Sequence, residues 1–342
     1  MTLKKIQLRT PFLLFMGDVL DDGHDKTGLG IAHWRPENCA GQMRLPGCAV
    51  DMGLPELDVQ GAVTAGVGTA IIGIASTGGV LADAWIPSLG ALARAGIDIA
   101  GGTHAKLKDN VELAAAAADG GAKLIDVRVP PDGIEVGSGV KRSGKRVLMV
   151  GTDCAVGKKY SALALHRELA GRGVNADFRA TGQTGIMIAG EGLPIDATVA
   201  DFTSGAAEQL SPDNDDDHWD IIEGQGSLLH PGYAAVSLGL LHGSQPDAIV
   251  LCHEAGRDKL EGIDLFVEIP PLNEVADTAL NLAQLTNPDC IWAGISMNTA
   301  MLPDEARRGY LADVSGKYGL PCVDPVATGM ADVADFLLEN IQ

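Results

Sequence analysis

The pattern in this sequence best suited to chemistry is Gly151-Thr152-Asp153-Cys154-Ala155-Val156-Gly157-Lys158, followed by Lys159, Tyr160 and Ser161. It comes directly after the apolar run 147–150. Small residues let consecutive backbone N–H groups turn inward into a concavity that binds anions. A helix beginning at the lysine adds its positive N-terminal end, and the Lys158 ammonium supplies a full charge. Strand, glycine loop and helix in this order form a phosphate cradle, so residues 151–158 together with Lys159 are expected to hold the phosphates of a nucleotide-like ligand.

One position departs from the usual spelling. The residue after the lysine is normally Ser or Thr, whose hydroxyl binds Mg²⁺, and here it is Lys159. A second cation suits a pyrophosphate and leaves metal-assisted phosphoryl transfer poorly equipped, so no Mg²⁺ requirement is expected. No other segment predicts a metal site. Asp213, Asp215, Asp216 and Asp217 imitate half of a calcium loop, but His218 stands where that loop needs glycine and Gly224 where it needs glutamate. They are read as a solvated loop.

The elements around the cradle repeat one theme. Short apolar runs at 69–75, 97–101 and 123–129 read as strands, 11–20 as a first strand, and 82–95 and 107–118 as helices between them. Turn residues from Pro130 to Gly139, then the basic run 141–146, mark a boundary. Beyond it, strands are expected at 146–150, 176–180, 220–223, 248–252, 290–296 and 322–326. Helices are expected from the loop to about 170 and at 273–285, 304–318 and 331–340. Alternation of this kind means parallel sheets covered by helices. The expected fold is α/β with two doubly wound domains, a Rossmann-like domain at 1–140 and a P-loop NTPase-like domain at 145–342.

Composition removes several functions. The 342 residues carry 25 basic and 45 acidic side chains, a net charge of −20, which opposes nucleic-acid and anionic-membrane binding. Six cysteines with no C-x-x-C pair make neither a disulfide framework nor a zinc ribbon. The uncharged run 61–82 has the length of a membrane span, yet its glycines and the turn Ser76-Thr77-Gly78-Gly79 read as strand, turn and helix. The short apolar run after the basic N-terminus contains Asp18 and is no signal peptide. A cytoplasmic enzyme, assembled as a homo-oligomer and acting on small molecules, is expected.

The loop resembles the G-T-D-x-x-V-G-K loop of dethiobiotin synthetase and its relatives. Glu223-Gly224-Gln225-Gly226 matches their E-G-x-G motif, and Asn298 falls where such folds meet the adenine ring. Further segments resemble a bacterial family that fuses a Rossmann-like domain to this P-loop domain. They are Lys26-Thr27-Gly28, Gly101-Gly102-Thr103-His104, the run from Phe178 to Gly185, the run from Asp201 to Glu208, and the run from Glu223 to Pro231. Members are assigned as D-glutamate N-acetyltransferases of D-amino-acid catabolism. The resemblance implies acetyl-CoA as donor and the α-amine of D-glutamate as acceptor.

That activity needs a base for the ammonium proton and donors for a tetrahedral oxyanion. Glu223, at a strand end beside the loop, and His230, in the loop that follows, are the catalytic candidates. His104 and His253 are weaker ones. Cys154, at a helix N-terminus, offers an acetyl-cysteine route that backbone binding does not require. Arg179, Gln183, Thr184 and Arg257 are the candidates for binding the substrate carboxylates, with Lys26 and Arg35 as more distant cations. Two alternatives stay open: an ATP- and Mg²⁺-dependent ligase or kinase of the dethiobiotin synthetase type, and a non-catalytic nucleotide-binding regulator. A dehydrogenase would rest on fold analogy alone.

Overall fold

The computed structural model describes residues 5–20, 25–74, 79–263 and 267–341. Its chain divides into two compact units, one made of Lys4–Pro130 with Gly182–Pro194, the other mainly of Pro131–Thr181 and Ile195–Gln342. The first unit carries five parallel strands, β1 (Phe12–Gly17), β2 (Cys39–Arg44), β3 (Thr69–Ile72), β4 (Asp98–Gly101) and β5 (Leu124–Asp126). They lie in the order β2-β1-β3-β4-β5. The helices are α1 (Lys26–Trp34), α2 (Val59–Thr64), α3 (Ile86–Arg94) and α4 (Val111–Gly120). Phe12 to Met16 are fully or almost fully buried, as expected of a strand covered on both faces.

Local chemistry trims the expected helices. The segment 82–95 becomes helical at Ile86, where a proline sits in the first turn, because proline lacks the N–H that a later position must donate. The segment 107–118 begins its helix at Val111, since the Asn110 side chain accepts from Leu113 N at 3.0 Å and caps it. Gly121, in the left-handed region at φ 69°, ends it. Ser76, Thr77 and Gly78 of the expected turn lie outside the described residues.

From residue 145 the chain forms β6 (Lys145–Gly151), α5 (Lys158–Gly171), β7 (Ala176–Arg179), α6 (Gln183–Ala189), α7 (Thr203–Leu210), β8 (Trp219–Ile222), α8 (Ala234–Ser244) and β9 (Ala248–Glu254). It continues with α9 (Leu272–Ala283), β10 (Ile291–Asn298), α10 (Asp304–Tyr318), β11 (Cys322–Val323) and α11 (Ala331–Asn340). Of these elements, α6 belongs to the first unit. The reason is local: α6 packs on α1, the Thr184 and Thr27 hydroxyls lie 2.9 Å apart, and Arg35 Nε donates to Ile188 O at 2.9 Å.

The six strands run parallel in the order β11-β10-β9-β6-β8-β7, with β6 central. From β8 the chain crosses over β6 to form β9. The crevice at the carboxyl ends of β6 and β9 is therefore the topological switch point, where open α/β sheets take their ligands. Among the described residues no helix is long and apolar enough to cross a membrane.

Candidate active site at the phosphate loop

Residue Gly151 closes β6, and the chain turns through residues 152–157 into α5. Two left-handed residues make this turn, Ala155 at φ 57° and Gly157 at φ 99°. Alternation of hand along a loop is what points successive N–H groups to one side. The N-terminal end of α5 carries no side-chain cap, so its positive end is directed at the loop. Lys158 is buried, and its Nζ donates to Asp153 O at 2.8 Å. Burial lowers its pKa, partly offset by nearby Asp153 and Glu223. The ammonium is thus held in poor contact with water, where an added anion gains more from it.

The loop is anchored on both flanks. Thr152 Oγ1 meets His253 Nδ1 at 2.8 Å, and Thr152 N donates to Cys252 O at 3.1 Å. On the other side, Ser227 Oγ donates to Thr152 O at 2.9 Å. Ser161, one turn into α5, bonds Gly157 O at 3.0 Å and shares a 2.7 Å contact with Ser296 Oγ. Neither His253 nor Ser227 was singled out as a loop anchor by sequence reasoning. The signal for Ser227 was present, since it directly follows the Glu223-Gly224-Gln225-Gly226 motif.

Asp153 has a role the sequence did not suggest. Its carboxylate is completely buried inside an anion cradle, and it faces protein donors. Cys154 N donates to Oδ1 at 2.6 Å, Glu261 N to Oδ2 at 2.9 Å, and Arg257 Nη1 to Oδ2 at 3.1 Å. Arg257 also donates to Cys154 O at 3.0 Å and pairs with Glu254 at 2.9 Å and Glu261 at 3.0 Å. Its carboxylate-reading fork is thereby spent inside the protein. The same holds for Arg179, which pairs with Asp220 at 2.7 Å and Asp177 at 3.0 Å. Both arginines, expected to read substrate carboxylates, make internal ion pairs here, because each lies beside acidic residues on its own or a neighbouring strand or turn.

Glu223 follows β8 and is buried. Its Oε2 accepts from Thr181 N at 2.9 Å, while Thr181 Oγ1 donates to Glu223 O at 2.8 Å. Gly224 next to it lies so close to β6 that a Cβ would collide with Met149 O. That close approach sets the Glu223 carboxylate beside the loop. His230 is also buried. Gly232 N donates to its Nδ1 at 3.1 Å, and the ring stacks on Tyr233 with centroids 4.7 Å apart. A backbone N–H can only donate, so Nδ1 accepts, and the neutral ring carries its proton on Nε2.

Asp153, Cys154 and His230 each bring one metal-ligand-type atom within 4.8 Å of the others. Within that group the Asp153 carboxylate pairs with Arg257, and His230 Nδ1 accepts from Gly232 N. The second such cluster, Asp177, His218 and Asp220, surrounds the Arg179 guanidinium and is occupied in the same way.

The remaining candidates divide. Asn298 ends β10 beside the loop following β9, its Nδ2 donating to Glu254 Oε2 at 3.3 Å. Gln183 and Thr184 belong to the other compact unit. There Gln183 packs where a side chain at Gly102 would stand. His104 lies 2.9 Å from Arg128 Nη1 in that unit.

Family models divide the chain near residue 130 and leave residues 182–194 with the P-loop domain. Residues 43–130 match the domain of unknown function DUF1611_N, described as a Rossmann-like domain, and residues 135–334 match DUF1611_C, described as a P-loop domain. The chain belongs to the DUF1611 family. A protein of Tritonibacter scottomollicae named D-glutamate N-acetyltransferase is 48% identical over 96% of this chain and 99% of its own. A protein of the same name from Pseudoalteromonas sp is 43% identical over 96% and 98%. A crystal structure of a DUF1611 family protein from Anabaena variabilis, 32% identical, superposes with a TM-score of 0.87 over 97% of this chain and all of the other. The two-domain α/β architecture and the family resemblance read from the motifs are both upheld.

Proposed function

We propose that this DUF1611 chain is an acyltransferase that moves the acetyl group of acetyl-CoA to the α-amine of D-glutamate. The observation that carries the reading is the identity of 48% and 43%, over nearly the whole chain, to two proteins named for that reaction. The loop chemistry supports it. Coenzyme A presents a pyrophosphate that the backbone of residues 155–158, Lys158 and Lys159 suit, and acetyl transfer breaks no phosphate bond.

In the reaction the amine nitrogen bonds to the thioester carbonyl carbon, and the C–S bond then breaks. The amine loses a proton and the departing thiolate gains one. Glu223 is assigned as the group that takes the ammonium proton: it is anionic-type chemistry at a strand end, with one oxygen steadied by Thr181 N. His230 is assigned as a donor to the oxyanion, because its accepting nitrogen is engaged and Nε2 holds the proton. The loop is assigned to hold the donor, and Asn298 to meet its adenine ring.

The test is thiol release from acetyl-CoA with D-glutamate or L-glutamate, without ATP, with and without EDTA. Release that requires D-glutamate and ignores EDTA is expected. Absence of release, combined with Mg²⁺-dependent ATP hydrolysis, would replace the reading with a ligase or kinase.

A further inference from the structure

A phosphate cradle containing a buried carboxylate is electrostatically self-defeating unless that charge is answered. Asp153 is the third residue of the loop, is fully buried, and its backbone carbonyl receives Lys158 Nζ. An uncompensated negative charge there would repel each incoming phosphate in a poorly screened setting. Coulombic attraction would also draw the Lys158 ammonium toward that carboxylate, away from the ligand.

Among the described residues, the cation ion-paired with the Asp153 carboxylate comes from outside the loop. Arg257 lies on the turn after β9, with its side chain only 7% exposed. Nη1 spans Asp153 Oδ2 and Cys154 O, at 3.1 and 3.0 Å, so one nitrogen grips two consecutive loop residues. Nη2 is held from behind by Glu254 and Glu261, whose carboxylates fix the plane of the fork. Glu261 adds its own backbone N–H to Asp153. A lysine has no planar fork that Glu254 and Glu261 could hold from behind while another nitrogen reaches the loop.

We infer that Arg257 is a positioning residue that neutralises the buried Asp153 carboxylate, making the loop fit to receive the pyrophosphate of acetyl-CoA. This rests on the acetyl-CoA reading of the loop. It differs from a direct contact between Arg257 and either substrate, since the guanidinium acts through the loop.

The two roles diverge once the loop charge is removed. In the native background, Arg257→Ala should weaken acetyl-CoA binding, read by calorimetry, at least about tenfold, because it leaves a buried carboxylate unpaired. The KM for acetyl-CoA should rise with a smaller change in kcat. Arg257→Lys should recover only part of the affinity. In the Asp153→Asn background Arg257 should become nearly dispensable: D153N and D153N/R257A should bind acetyl-CoA within about twofold of each other. That comparison also serves if R257A alone does not fold. Should D153N/R257A bind tenfold or more weakly than D153N, Arg257 touches the ligand and the inference is overturned. Native protein that binds acetyl-CoA no better than R257A overturns the inference alone. Native protein that binds no acetyl-CoA overturns the acetyltransferase reading with it.

Discussion

Thr152 Oγ1 and His253 Nδ1 lie 2.8 Å apart, joining the first turn residue of the phosphate loop to the strand beside it. Burial, helped by the charge of Arg257, pushes the His253 pKa down to about 4. The ring is therefore neutral in the folded protein wherever the protein works, while an unfolded histidine takes up a proton near pH ~6.5. The unfolded chain binds more protons between those two values, so this group makes stability fall as pH is lowered through that window. From pH ~7 to ~5 the loss should approach about 2 kcal/mol. Urea unfolding of native protein and His253→Gln at the two pH values checks it: the variant should lose that part of the slope.

Gly224 makes the second prediction. The missing side chain lets the strand end carrying Glu223 lie against Met149 O and the stem of Lys158. Gly224→Ala must push β6 and β8 apart or displace Lys158, and overpacking of this kind costs about 3 kcal/mol. The expected outcome is a lower urea midpoint together with a raised KM for acetyl-CoA. An unchanged midpoint would mean that this backbone contact is not rigid.

How much of this was legible beforehand follows from the range of the interactions. The cradle was readable because its chemistry is local: glycine spacing, one lysine and an apolar strand before it lie within fifteen residues. Helices α10 and α11 were placed to the residue, the first closed by Gly319 in the left-handed region. By contrast α8, rich in Gly, Leu and Ala, has too even an apolar distribution to show a helical face, and it was not foreseen. The ion pairs of Arg179 and Arg257 were not legible at all. Asp220 is forty-one positions from Arg179 and Asp153 one hundred and four from Arg257, and pairing across strands leaves no trace in local spacing. An arginine expected to greet a substrate carboxylate and one holding an internal carboxylate look identical in a sequence.

Arg179 should accordingly act through stability. Its partner Asp220 is buried and also contacts Ser211 and His218 Nε2, the latter at 3.0 Å. Removing the guanidinium strands that carboxylate, a loss of about 3 kcal/mol or more for a buried pair. Arg179→Ala should lower the thermal midpoint, and the protein that remains folded should keep its KM for D-glutamate. A tenfold rise in that KM at unchanged midpoint would return Arg179 to the substrate.

The division of labour between Glu223 and His230 gives the sharpest kinetic contrast. In Glu223→Gln the amide oxygen still accepts from Thr181 N, so the geometry survives while the proton acceptor is lost. The amine must then arrive already neutral, and its neutral fraction grows tenfold per pH unit below its own pKa. The variant's kcat should drop by about 10²–10⁴ near neutral pH and recover steadily as pH rises. In His230→Gln the loss is that of an oxyanion donor, about 10²–10³ in kcat, and it should be the same at every pH where the native enzyme is flat. A pH-rate profile of both variants therefore separates base from donor without a structure of either. If the steep recovery appears in the His230 variant instead, the histidine is the base, and the hydrogen bond from Gly232 N must break before it can act.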